Sequence, residues 1–279
     1  MARRRARKKA APKSIDRLSF DSLGECAQWI ESTDKLPLSG SSSTAEDVCE
    51  VGFKQAMEIA RTGGRHATDV ERLKSAMSGI PRTTEMNTSG QEITSDVIGF
   101  APIVPNAMMG LPDSMLNLVA IEAPAPVIKI GVHVGRGWAV EESTVYYRAA
   151  ALLAGLDVLH SQGYKTELWA CWRNQDDTGN AVHVDVLVKP ENAQWDYEVA
   201  SFCFGNPAMQ RRLFWACGER SGKAGEQVTK DSYGVESMHG EEGFDVYFPR
   251  LSSDLPNVRA AQALVTDSFA DAGLTIEYT

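Results

Sequence analysis

The sequence predicts an α/β or α+β fold: a mixed sheet flanked by helices, with a small helical N-terminal region and a disordered basic arm ahead of it. Three stretches carry the prediction. In 127–135, Ile128, Ile130, Val132 and Val134 recur with the period of two that marks a strand. In 181–189, Val182, Val184, Val186 and Val188 do the same. Between them, 147–162 carries Ala149 to Ala151, Leu152, Leu153, Leu156, Val158 and Leu159, a helix for which Gly163 is a natural stop.

In chain order, residues 1–18 form the arm. Arg3, Arg4, Arg5, Arg7, Lys8, Lys9 and Lys13 stand there, and like charges so close together repel rather than pack. Residues 19–80 read as helical. Ser22 followed by Glu25 fits a capping box, and Thr44 with Asp47 resembles the same signal, opening a second helix ended by Gly63-Gly64. A third helix runs from Asp69 to Met77. Residues 79–96 are polar and punctuated by Gly and Pro, the best linker in the chain. Pro102, Pro105, Pro112, Pro124 and Pro126 exclude a long helix or a central strand from 97–126. The α/β domain spans 97–279. After its first strand and helix, Lys165 to Trp172 reads as a strand, and helices follow at about 196–204 and 207–217. A helix at 257–272 leads through Gly273 to a last strand, Leu274 to Tyr278. The stretch 218–243 holds six glycines and little apolar surface, and reads as a long polar loop.

Charge is the next constraint. The 279 residues carry 28 basic and 37 acidic side chains, a net charge of −9, but the first thirteen residues are +7 and the remainder −16. That excludes a uniformly basic nucleic-acid coat and points to a polyanion-binding arm on an acidic body. The five cysteines, Cys26, Cys49, Cys171, Cys203 and Cys217, are odd in number and widely spaced, which fits buried thiols in a reducing cytoplasm, the host-cell cytoplasm for a viral protein. No apolar stretch approaches the roughly 18 residues of a membrane span.

No enzyme or cofactor motif emerges. Gly218 to Lys223 is one residue short of a phosphate loop and has Ala224 where a magnesium-binding hydroxyl belongs. His133, His183 and Asp185 sit on the non-valine faces of their strands, where they would meet as metal ligands or simply be strand residues. Asp176-Asp177 and Glu141-Glu142 are the carboxylate pairs a metal-dependent nuclease would need, but both fall in turn-like segments where acids are solvated. The expectation is a non-enzyme without metal or cofactor.

Binding features are stronger. Twelve of the 22 aromatic residues lie in 138–215, and several have basic neighbours: Arg136 before Trp138, Arg148 after Tyr146-Tyr147, Arg173 after Trp172, and Arg211-Arg212 on the helix of Trp215. Single-stranded nucleic acid needs this mixture, cations for phosphates and flat rings for unpaired bases. The expected DNA contacts are therefore the seven arm cations with Arg136, Trp138, Arg148, Trp172, Arg173, Arg211 and Arg212.

Two resemblances add to this. The order VIKIGVHVGR, RAAALLAGLDVLHSQGY, KTELWACW and VHVDVLVK resembles the start of a von Willebrand factor A-like domain, although Gly131-Val132-His133-Val134-Gly135 replaces that family's metal motif. This implies a protein-interaction adaptor. The basic arm, helical front, GYKTELWACW segment and PAMQRRLFWACGE helix together resemble the single-stranded DNA-binding RNA polymerase cofactors of podoviruses that carry a virion RNA polymerase. That resemblance implies a phage transcription cofactor, possible as a homo-oligomer, that binds unwound promoter DNA and recruits the phage RNA polymerase.

Overall fold

The computed structural model describes residues 13–33, 41, 49, 51–64, 66–78, 80, 91–98, 101–120, 126–137, 139–194, 196–230, 235–236 and 243–278. The first elements are β1 (Ser14–Phe20), α1 (Leu23–Ser32), α2 (Phe53–Arg61), α3 (Ala67–Met77), β2 (Gln91–Asp96), β3 (Ala101–Pro102), α4 (Val104–Met108) and β4 (Met115–Ala120). Then come β5 (Val127–His133), α5 (Glu142–Ser161), β6 (Lys165–Gln175), β7 (Asn180–Lys189), α6 (Tyr197–Gly205), a π-helix (Met209–Phe214), α7 (Trp215–Arg220) and α8 (Lys223–Lys230). The chain closes with β8 (Val235–Glu236), β9 (Val246–Phe248) and α9 (Val258–Asp271).

The fold is α/β with a mixed sheet, in the order β1-β7-β6-β5-β9, flanked by helices. β5 and β6 are parallel and joined by α5, as a crossover connection requires, and β9 continues the parallel set beside β5. β7 returns antiparallel to β6, and β1 lies parallel to β7. β8 pairs with the far end of β6 at Asn174 and Gln175. A separate three-stranded antiparallel sheet has the order β2-β4-β3.

The alternation of the strands sets which face is buried under helices. Ile130 and Val132 of β5, Leu168, Ala170 and Trp172 of β6, Val182, Val184 and Val186 of β7, and Phe20 of β1 share one face and one apolar core with Ile30, Met57, Leu73 and Leu152 of the helices. The N-terminal helices therefore pack into the same core as the sheet. α5 is apolar almost all round because it is buried between the sheet and other helices, including α3, α6 and α9. The opposite sheet face carries Lys129, His133, Trp169, Cys171, Arg173, His183 and Asp185.

Several expectations are met in detail. Ser22 caps α1 by accepting a hydrogen bond from the Glu25 N–H (3.1 Å), and Glu25 reaches back to the Asp21 N–H (2.6 Å). All five cysteines are buried and none forms a disulfide; Cys26 and Cys217 touch as thiols at 3.5 Å. No helix among the described residues is long and apolar enough to cross a membrane.

Others need correction. The arm does not extend to residue 18, because Ser14–Phe20 is an edge strand. Its core-facing Asp16 hides the alternation, and that carboxylate accepts the Gly225 N–H (2.7 Å) in the first turn of α8. The linker at 79–96 contains β2, and β4 is central in its small sheet; the prolines of this region all lie outside β4. The polar loop at 218–243 holds the end of α7 and all of α8, whose Ala224 and Val228 are buried. Its glycines suggest a loop, yet Gly218 lies so close to Trp172 that a Cβ there would come within 2.8 Å of the ring. Leu274 to Tyr278 pairs with no strand among the described residues; it is held instead by buried Ile276 and by the Tyr278 hydroxyl donating to the Ala151 carbonyl (2.9 Å).

Candidate nucleic-acid interface

In open α/β sheets ligands collect outside the carboxyl ends of the strands, where loops gather. Here that end is cationic. Beyond β5 and β9 the two backbones continue side by side: Leu251 N–H donates to the Gly135 carbonyl (3.2 Å) and Gly137 N–H to the Leu251 carbonyl (2.7 Å). Arg250 Nη2 donates to the Arg136 carbonyl (2.9 Å), and Arg136 Nη1 to that of Val140 (3.1 Å). A six-residue π-helix then brings Gln210 against Gly135 and places Arg211 at the same end. The Arg211 guanidinium lies over the Trp215 ring, 5.2 Å from its centre. Burial lowers the Arg211 pKa, and the like charges of Arg136, Arg250 and Arg212 act in the same direction. Neither Arg136 nor Arg211 is ion-paired with any acid among the described residues.

His133 lies beneath this group and is fully buried. Its Nδ1 accepts the Gly135 N–H (2.9 Å), which places the remaining proton of the neutral ring on Nε2. Burial, reinforced by Arg148, Arg250 and Arg173, pushes its pKa well below the usual histidine range, so it stays neutral. Among the described residues Nε2 has no hydrogen-bond partner.

The structure sorts the expected contacts into three groups. Arg136 and Arg211 come together, half-buried, as described. Lys13 is exposed, and its backbone N–H donates to the Gly179 carbonyl (2.7 Å) in the β6–β7 turn. Since β5 and β6 are parallel, that turn is at the same end of the sheet as the arginines, so the arm joins the body there. Four residues belong to the interior instead. Trp172 is 0% exposed. Arg212 is 1% exposed and donates to the carbonyls of Val51 (3.2 Å) and Ser41 (3.0 Å). Arg148 ties β5 to β9 through the His133 and Pro249 carbonyls, both at 2.9 Å. Arg173 is held by Asp185 (2.5 Å) and two backbone carbonyls. Stacking on bases or holding phosphate would need these four exposed. Arg3, Arg4, Arg5, Arg7, Lys8, Lys9 and Trp138 lie outside the described residues.

The profile of DUF7192, a domain of unknown function, matches residues 8–276. The chain belongs to this family. No curated protein and no solved structure matches it. The DUF7192 match takes in Lys8, Lys9, Lys13 and the entire sheet, and leaves Arg3, Arg4, Arg5 and Arg7 outside.

Chemistry elsewhere on the DUF7192 sheet is occupied by structure. His133, Cys171 and Asp185 form a cross-strand row on one face, with His183 beside them opposite Arg173. No group of three metal-ligating side chains is placed to hold an ion among the described residues. Burial, with Asp185 adding to it, pushes the Cys171 thiol well above its ordinary pKa, which removes it as a nucleophile. Asp176 closes the β6–β7 turn, accepting the N–H groups of Thr178, Gly179 and Asn180 at 2.7–2.9 Å. Glu142 pairs with Arg72 at 2.6 Å. Sequence reasoning missed Arg250 as a member of the cationic end and weighed His133 only as a metal ligand or a strand residue. A three-residue strand ahead of Pro249 is too short to show a period, so only the rule that sites follow strand ends would have found Arg250.

Proposed function

We propose that this DUF7192 protein binds single-stranded DNA and performs no chemistry on it. Phosphates are held at the carboxyl ends of β5 and β9 by Arg136, Arg211 and Arg250, while the basic arm, entering at the same end through Lys13, adds sequence-independent attraction. The observation that carries this reading is Arg211 over Trp215 with two further arginines beside it. Among the described residues it is the one place where the expected pairing of cation and ring stays half-open. Guanidinium planes and indole rings both stack on unpaired bases, which a duplex does not offer.

The same geometry bears on the von Willebrand-like alternative. Where that family carries a metal motif, this chain has neutral His133 under several arginines, which favours an anion over a metal cation. The finer role, recruitment of a phage RNA polymerase to opened promoters, rests on the resemblance to podoviral cofactors alone. Co-purification with that polymerase in the presence of a single-stranded promoter tests it.

The binding test compares oligo-dT with a duplex of equal length at about 50 and 200 mM salt. Tighter binding to the single strand, weakened by salt, supports the reading. Equal affinity for the duplex, or no binding at the lower salt, overturns it.

A further inference from the structure

A pocket independent of the DNA reading lies between α1, α2 and the last residue of α7. It encloses about 510 Å³, a size typical of small-molecule sites. Ile30, Phe53 and Met57 give it an apolar wall, and Arg220 reaches it from the α7 end. The Arg220 side chain is only 6% exposed, and its Nε and Nη1 are buried without a hydrogen-bond partner among the described residues. The acid beside it is Glu219, 3.8 Å from Nη1, beyond hydrogen-bond reach and with both carboxylate oxygens already accepting from Ser41. A guanidinium does not escape burial by losing its proton, so its donors call for acceptor oxygens from elsewhere.

We infer that this pocket binds a small organic acid, its carboxylate on Arg220 and its apolar body against Ile30, Phe53 and Met57. Hydrogen-bond geometry fixes the head group. A carboxylate offers two acceptor oxygens in the plane that a guanidinium fork matches. On the rim, Arg61 is spent on Glu31 and Glu58, while Glu219 stands near Arg220 without hydrogen-bonding it. A dianionic phosphate would face these three carboxylates, and an alcohol offers one acceptor where a carboxylate offers two.

The test titrates the full-length protein with hexanoate, hexyl phosphate, hexanol and acetate, followed by calorimetry and thermal melting. Hexanoate is expected to bind and raise Tm, with acetate and hexanol each much weaker because each lacks one half of the recognition. Arg220→Met should weaken hexanoate by about tenfold or more, the worth of a charge-assisted hydrogen bond. Thr33→Trp, at a half-exposed position of the pocket wall, fills the cavity, keeps Arg220 and should also remove binding, so it decides the matter if Arg220→Met does not fold. No hexanoate binding by the native protein, undiminished binding by Thr33→Trp, or hexyl phosphate binding more tightly than hexanoate would each overturn the assignment.

Discussion

The guanidinium of Arg211 sits 5.2 Å from the centre of the Trp215 ring, one helical turn further along the chain. The contact joins the π-helix to α7, and it holds a cation in place before any ligand arrives. Around it the carboxyl end of the sheet gathers Arg136, Arg250 and the entry of the basic arm.

If the arm supplies general electrostatic attraction and the body supplies strand preference, the two functions separate on truncation. Deleting residues 1–12 removes six cations. The slope of log K against log salt for oligo-dT should then become shallower by at most about 4. The preference for single strands over duplex should remain. Filter binding across a salt series measures both.

Trp172 is expected to act on stability and not on DNA. Trp172→Ala empties a fully buried site and should cost about 3–5 kcal/mol in urea unfolding. Oligo-dT affinity, measured where the variant is still folded, should stay near the native value. A large loss of affinity with native stability would show Trp172 reaching the DNA.

Acid should weaken the fold through His160. Burial, helped by Lys189, lowers its pKa to about 4, and its Nε2 lies 2.8 Å from Thr166 Oγ1. Between pH 6.5 and about 4 the unfolded chain takes up a proton there that the folded chain refuses, so stability falls as pH falls through that window. His133, also held neutral, acts in the same sense. Tm measured from pH 7 to 4 should decline, and less steeply in His160→Asn.

The β6–β7 turn depends on Asp176. Burial opposes its ionisation, but donors from Asn180 and Thr178 outweigh burial and keep its pKa low. Asp176→Ala leaves three backbone N–H groups without their acceptor and should cost about 2 kcal/mol in chemical unfolding. A nuclease role would instead leave stability intact.

What the sequence made legible follows from what periodicity measures. The valines of β5 and β7 face the core, so their alternation is clean, and Ser22 with Glu25 marks the start of α1 because both ends of the cap are local. β1 and β9 were hidden by a core-facing aspartate and by brevity. α8 was hidden by glycines that permit close packing rather than loops. Alternation also reports the face of a residue, not its depth. Arg173 lies on the polar face, as its position in β6 implies, yet it is buried because Asp185 and two carbonyls satisfy it. The rule that pairs arginine with a neighbouring aromatic therefore selected two surface cations, Arg136 and Arg211, together with four interior residues.

The central claim is that the arginine-rich end of the sheet holds single-stranded DNA. Fluorescence anisotropy of labelled oligo-dT with the full-length Arg136→Gln/Arg211→Gln double variant, at about 50 mM salt, tests it most directly. The account predicts affinity weaker by about tenfold or more with the fold retained. Native affinity in the double variant would contradict it.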